Sequence, residues 1–79
     1  MEISFTRHAI KRIEERGIYL KEVAECIFFP DKVRKDLSTT IYTKLDVANN
    51  KLLILVCIVT DERCKIITAI KTSKIDKYS

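Results

Sequence analysis

The sequence predicts an α+β fold in a single domain, residues 1–79: a short N-terminal strand and two helices packed on an antiparallel sheet (β-α-α-β-β-β-β). Three observations carry this. Apolar residues recur at helical spacing in two stretches of the first third of the chain, around Ala9–Ile13 and Leu20–Ile27. The rest is rich in β-branched residues that alternate or run without interruption. Polar turn clusters at Asp46–Asn50 and Asp61–Arg63 punctuate that part at strand-length intervals.

Taken in order, Glu2 to Phe5 alternates Ile3 and Phe5 with polar neighbours, as a half-buried strand does. Thr6 is placed to cap a helix from Arg7 to Arg16, because its hydroxyl can accept from a free N–H of the first turn. Ala9, Ile10 and Ile13 form its expected core side. Gly17 stops it, since glycine tolerates the left-handed conformation that ends helices. A second helix begins near Leu20, with Leu20, Val23, Ala24 and Ile27 on one face. Phe28-Phe29-Pro30 ends it, because proline biases its predecessor away from helical geometry.

Lys32 to Leu37 reads as an edge strand and Thr39 to Leu45 as an alternating one. Leu52 to Val59 is apolar without alternation, which places it at the sheet centre with both faces covered. Cys64 to Lys71 is the last strand.

The composition is 47% hydrophobic and 33% charged with one Gly and one Pro, which excludes a disordered or collagen-like chain. The apolar run Leu52–Val59 is too short to span a bilayer. The N-terminus turns charged within a few residues, without the apolar stretch of a leader. Cys26, Cys57 and Cys64 are odd in number and form no CxxC pair, so they read as small buried hydrophobes and not as a disulfide framework or zinc site. Reduced thiols point to the cytoplasm.

The net charge of +4 is unevenly spread. Basic and acidic residues balance through residue 62; Arg63, Lys65, Lys71, Lys74 and Lys77 then stand against Asp76 alone. Such a local field favours a polyanion or an acidic protein.

The first helix carries a basic row. With His8 at 0°, Arg12 falls at about 40° and Arg16 at about 80°, while Ala9, Ile13 and Ile10 fall at about 100°, 140° and 200°. The row therefore borders the core stripe. Arg16 lies nearest it and is the expected structural anchor; His8 and Arg12 are better turned to a substrate. Histidine exchanges protons near neutral pH, and arginine offers a planar donor fork to phosphate. Cations around a developing phosphorane are usually the largest rate term in metal-free RNA cleavage. The structural alternative is an Arg12–Glu15 pair across one helix turn, and arginine stems buried along the core. Tyr42 and Tyr78 are candidates for stacking on bases.

The stretch Phe5-Thr6-Arg7-His8-Ala9, with Arg12 and Glu15-Arg16-Gly17-Ile18, resembles the opening of a widespread family of small prokaryotic domains of unknown function. Phe29-Pro30-Asp31-Lys32-Val33 resembles that family's turn into the sheet, and Lys65 to Lys74 with Lys77-Tyr78 its close. The family is grouped with the RelE-like and BrnT-like toxins. The resemblance implies a RelE-like fold, metal-independent RNA cleavage and an antitoxin partner. The matching positions are His8, Arg12, Arg16, Thr68, Lys71 and Tyr78. Relatives cleave with varied sets of Lys, Arg, His and Tyr, so membership assigns no acid or base.

The expected function is a toxin-type endoribonuclease needing no cofactor or metal. His8, Arg12, Arg16 and Tyr78 form its catalytic set, and Lys65, Thr68, Lys71, Lys74 and Lys77 bind RNA between the first helix and the last strand. Thr68 and Lys71 are three apart and fall on opposite faces of a regular strand, so both line one site only if a bulge intervenes or the strand ends before Lys71. Expected partners are RNA, a cognate antitoxin protein and, in a homodimer, a second copy; no membrane is expected. The alternative is a non-catalytic module of the same fold that binds nucleic acid or protein.

Overall fold

The computed structural model describes residues 1–78, with only the backbone of Tyr78. The elements are β1 (Glu2–Phe5), α1 (Arg7–Arg16), α2 (Leu20–Phe28), β2 (Lys32–Asp36), β3 (Thr39–Asp46), β4 (Lys51–Thr60), β5 (Arg63–Thr72) and α3 (Ile75–Tyr78). The α+β class and the order of the first seven elements agree with the sequence reading. The four-residue α3 was not anticipated; nothing in Ile75–Tyr78 is long enough to show a helical period.

One five-stranded sheet has the order β1-β5-β4-β3-β2. The apolar run lies on β4, the middle strand, as its lack of alternation requires. The sheet is mixed and not purely antiparallel: β1 runs parallel to β5, with Ile3 opposite Cys64 and Phe5 opposite Ile66. Tight turns make β2-β3-β4-β5 an antiparallel meander, whereas β1 returns to β5 only after the helices.

Both long helices serve one face. α1 packs chiefly on β5, and α2 on β3 and β4. The core joins Ala9, Ile13, Ile18, Val23, Cys26 and Ile27 to Tyr42, Leu55, Cys57, Cys64 and Ile66. All three cysteines are buried and unpaired. Tyr42 packs in this core, which removes it as a stacking platform.

Two helix-face assignments need correction. Ile10 is 48% exposed, because the α1 stripe centres on Ala9 and Ile13 and leaves 200° outside it. Leu20 is 66% exposed, because α2 buries Val23, Cys26 and Ile27, and Leu20 is the helix's first residue, beyond that patch.

Candidate functional site

α1 is held at both ends, and that fixes the basic row. Thr6 Oγ1 accepts from Ala9 N (3.1 Å) and donates to Ile67 O (2.9 Å), so one hydroxyl caps the helix and ties it to β5. Thr6 N also donates to Ile66 O at 3.0 Å, extending the β1–β5 ladder up to the helix start. At the other end Gly17 adopts φ 62°, ψ 36°. Ile18 N bonds Ile13 O (3.0 Å) and Gly17 N bonds Glu14 O (3.3 Å), the paired bonds of a Schellman motif. Ile18 then drops into the core beside Ile13.

On this frame His8 and Arg16 are exposed, and their side chains have no hydrogen-bond or ion-pair partner among the described residues. Arg12 is half-buried and pairs with Glu15 at 3.2 Å. Arg16 is therefore not the anchor expected from its angle: Ile13 is the last buried residue of α1, so the final turn has no core to border. The Arg12–Glu15 pair is solvent-screened and worth a few tenths of a kcal/mol.

The C-terminal cations do not form one surface. A register irregularity sits between Val56 and Cys57: Val56 faces Thr68 and Cys57 faces Ile66, leaving Ile67 as the extra residue. The bulge brings Lys65 and Thr68 onto one face, the face away from the helices. It lies before Thr68, so it does not reconcile Thr68 with Lys71, which points to the helix side opposite Leu53.

There Lys71 Nζ reaches Glu22 Oε1 at 2.5 Å and Asp46 Oδ2 at 3.9 Å, with its side chain only 14% exposed. It ties β5 to α2 and β3. Its charge is met by two carboxylates, so it is not displayed to an incoming phosphate. Asp46 is held below the usual carboxylate range, first by the Asn49 side-chain hydrogen bond and also by Lys71. Lys74 is exposed just before α3, and Lys77 lies on α3. The Tyr78 side chain lies outside the described residues.

The expected cleft between α1 and the last strand is thus divided. His8, Arg12 and Arg16 share a helix edge, Lys65 and Thr68 occupy the other side of the sheet, and Lys71 is internal. Two cations lie outside the set of site residues expected from the sequence. Lys32 and Arg34 face the same way as Lys65, beside Ile41, Ile54 and Val56. The unbroken apolar run of β4 was the available signal, since it makes both faces of the sheet apolar.

The cysteines have no nucleophilic character. Burial pushes the Cys26 thiol up to about 12, partly offset by Lys44, and raises Cys57 and Cys64 too. Among the described residues no group of three or more His, Cys, Asp or Glu is placed to hold a metal ion. No described helix is long and apolar enough to cross a membrane.

These features define a small mixed-sheet α+β domain with a solvent-facing basic helix edge. The family model of a domain of unknown function, DUF4258, matches residues 5–71, and the chain belongs to that family. The match begins at Phe5 and takes in the whole basic row. No curated protein and no solved structure matches the chain.

Proposed function

We propose that this chain is a toxin-type endoribonuclease of a toxin–antitoxin pair, acting in the cytoplasm on RNA held along the outer edge of α1. The observation that carries the reading is the state of the row: the single histidine and Arg16 reach solvent without side-chain partners among the described residues, on a helix fixed at both ends. His8 moves protons at the reacting 2′-hydroxyl. Arg16, with Arg12 once it leaves Glu15, binds the phosphate and offsets the charge of the phosphorane. Tyr78 stacks on a base or donates a proton. RNA and an antitoxin are the partners, and a homodimer is compatible with the reading. Lys65 and Thr68, on the opposite face, contribute nothing to this step.

Purified protein is expected to cleave a mixed single-stranded RNA with EDTA present, leaving cyclic phosphate ends. His8→Ala should lower the rate about 10²–10⁴-fold with unchanged melting. Intact RNA after prolonged incubation with wild type sinks the catalytic reading.

One observation favours the non-catalytic alternative. Arg12 is neutralised by Glu15, and among the described residues His8 has no second proton-exchanging group hydrogen-bonded to it. A pure binder would hold RNA without cleavage, and log affinity against log salt would fall with a slope of about −2 for three contacts.

A further inference from the structure

The sheet face turned away from α1 and α2 is apolar and only partly covered. Register puts Ile41 of β3, Ile54 and Val56 of β4, and Ile70 of β5 on it together. With Thr43 they floor a groove of 310 Å³, open to solvent, whose β2 side is formed by Lys32 and Arg34. Ile54 is buried, while Ile41, Val56 and Ile70 are half-buried. Arg63 and Lys65 stand on the same face toward β1. Among the described residues its acids are Glu2 and Asp36, on the two outermost strands, and Asp31, which precedes β2 and accepts a hydrogen bond from Leu45 N at 2.7 Å; none of the three lines the groove.

The chain itself lays a helix on one end of this face. Ile75 of α3 shares an adjoining groove of 520 Å³ with Thr43, Leu45 and Leu52, and both grooves include Lys32. A sheet that is apolar on both faces is completed by helices on both, and among the described residues α3 reaches one end of this face, through Ile75.

We propose that this groove docks an amphipathic, acidic helix of a protein partner. The helix's aliphatic stripe lies on Ile41, Val56 and Ile70, and its carboxylates meet Lys32 and Arg34. Charge complementarity selects this occupant. A second copy of the chain would set cations against cations across the same floor. RNA would meet the cations, but among the described residues the floor is aliphatic and offers no aromatic ring on which a base could stack. Aliphatic anchors at helical spacing with acidic flanks satisfy both halves of the surface. The proposal stands apart from RNA cleavage, which uses α1.

The test uses the full chain and a capped amphipathic peptide of about 15 residues with leucines on one face and glutamates flanking them. A version with lysine for glutamate and a single-stranded RNA are the comparators. Expected is saturable binding of the glutamate peptide, with methyl chemical-shift changes at Ile41, Val56 and Ile70. The double variant Lys32→Glu/Arg34→Glu should melt as wild type does, lose about tenfold or more in affinity for that peptide, and gain affinity for the lysine version. No saturable binding at low salt overturns the proposal. So does binding that the charge reversal leaves unchanged, or shifts that map to α1 and α2. RNA moving the same methyls while the peptide does not would assign the face to nucleic acid and also overturn it.

Discussion

On the helix-covered face, β4 and β5 contribute Leu53, Leu55, Cys57, Cys64, Ile66 and Ala69, none more than 4% exposed, with Val59 half-buried at its end. On the other face the same strands contribute Leu52, Ile54, Val56, Ile58, Thr68 and Ile70; Leu52, at the end where Ile75 of α3 lies, and Ile54 are buried, and the other four are half-buried. Residue type barely distinguishes the two sets. What differs is what lies above them among the described residues: two long helices in one case, and α3 at one end in the other. The apolar pattern of a strand therefore reports what the sheet can bury, not what the isolated chain does bury. The folding energy sits on the first face, and the unused hydrophobic area on the second.

The largest test of that contrast is a pair of truncations. Leu55→Ala removes a fully buried side chain and should cost about 2–5 kcal/mol in chemical denaturation. Ile58→Ala, half-buried on the open face, should cost about 1 kcal/mol. Equal costs would mean that the open face is covered in solution and would break the comparison.

Next in size is the Lys71 tie, the polar element of the helix-covered face. Lys71→Ala leaves Glu22 and Asp46 without their cation and should cost about 1–2 kcal/mol, the pair being only partly desolvated. It carries a pH signature. The folded carboxyl of Asp46 lies below its ordinary value, so its contribution is present above the usual carboxylate range and is lost as pH falls through the folded value. Asn49→Ala removes the largest cause and Lys71→Ala a smaller one. Denaturation profiles from neutral to acid pH should therefore flatten more in the Asn49 variant. A steeper acid loss in either variant contradicts the assignment.

The Thr6 cap ranks third. Thr6→Ala removes both the bond from Ala9 N and the bond to Ile67 O, and about 1 kcal/mol of thermal stability should go with them. Because the hydroxyl also aims α1, amide shifts should spread along β5 at Ile67 and not stay within the helix.

Much of this architecture was legible in the chain. Thr6 and Gly17 bracket α1 because each uses chemistry local to one turn of backbone, and local chemistry can be read from adjacent residues. The central placement of Leu52–Val59 followed from its missing alternation. The parallel β1–β5 pairing was not legible, since it joins residues 61 apart through Phe5 and Ile66 and leaves no local trace. Nor was the bulge at Ile67, which has no glycine to mark it and reverses the facing of every later residue on β5. That one residue split the basic C-terminal set: counting by twos along Cys64–Lys71 puts Lys65 and Lys71 on one face, where the bulge puts them on opposite ones. The shared helix edge of His8, Arg12 and Arg16 follows from helical geometry alone, whereas the facing of Lys65, Thr68 and Lys71 is decided by the bulge.

The smallest expected effect separates the helix edge from both faces of the sheet. Glu15→Gln removes the partner of Arg12, 3.2 Å away, at an exposed site. The loss in stability should be about 0.3–0.5 kcal/mol, close to the error of a denaturation curve. The consequence for ligand binding has the opposite sign and is easier to read. The substitution removes one negative charge from the basic edge and releases a guanidinium, so RNA affinity at low salt should rise several-fold, and the salt slope should steepen by about 0.7 if one more phosphate is engaged. The acidic peptide on the open face should bind as before, because Glu15 lies on the helix layer, across the sheet from the groove. If both ligands respond together, the helix edge and the open face are one surface. If only RNA responds, they are two surfaces with two kinds of partner.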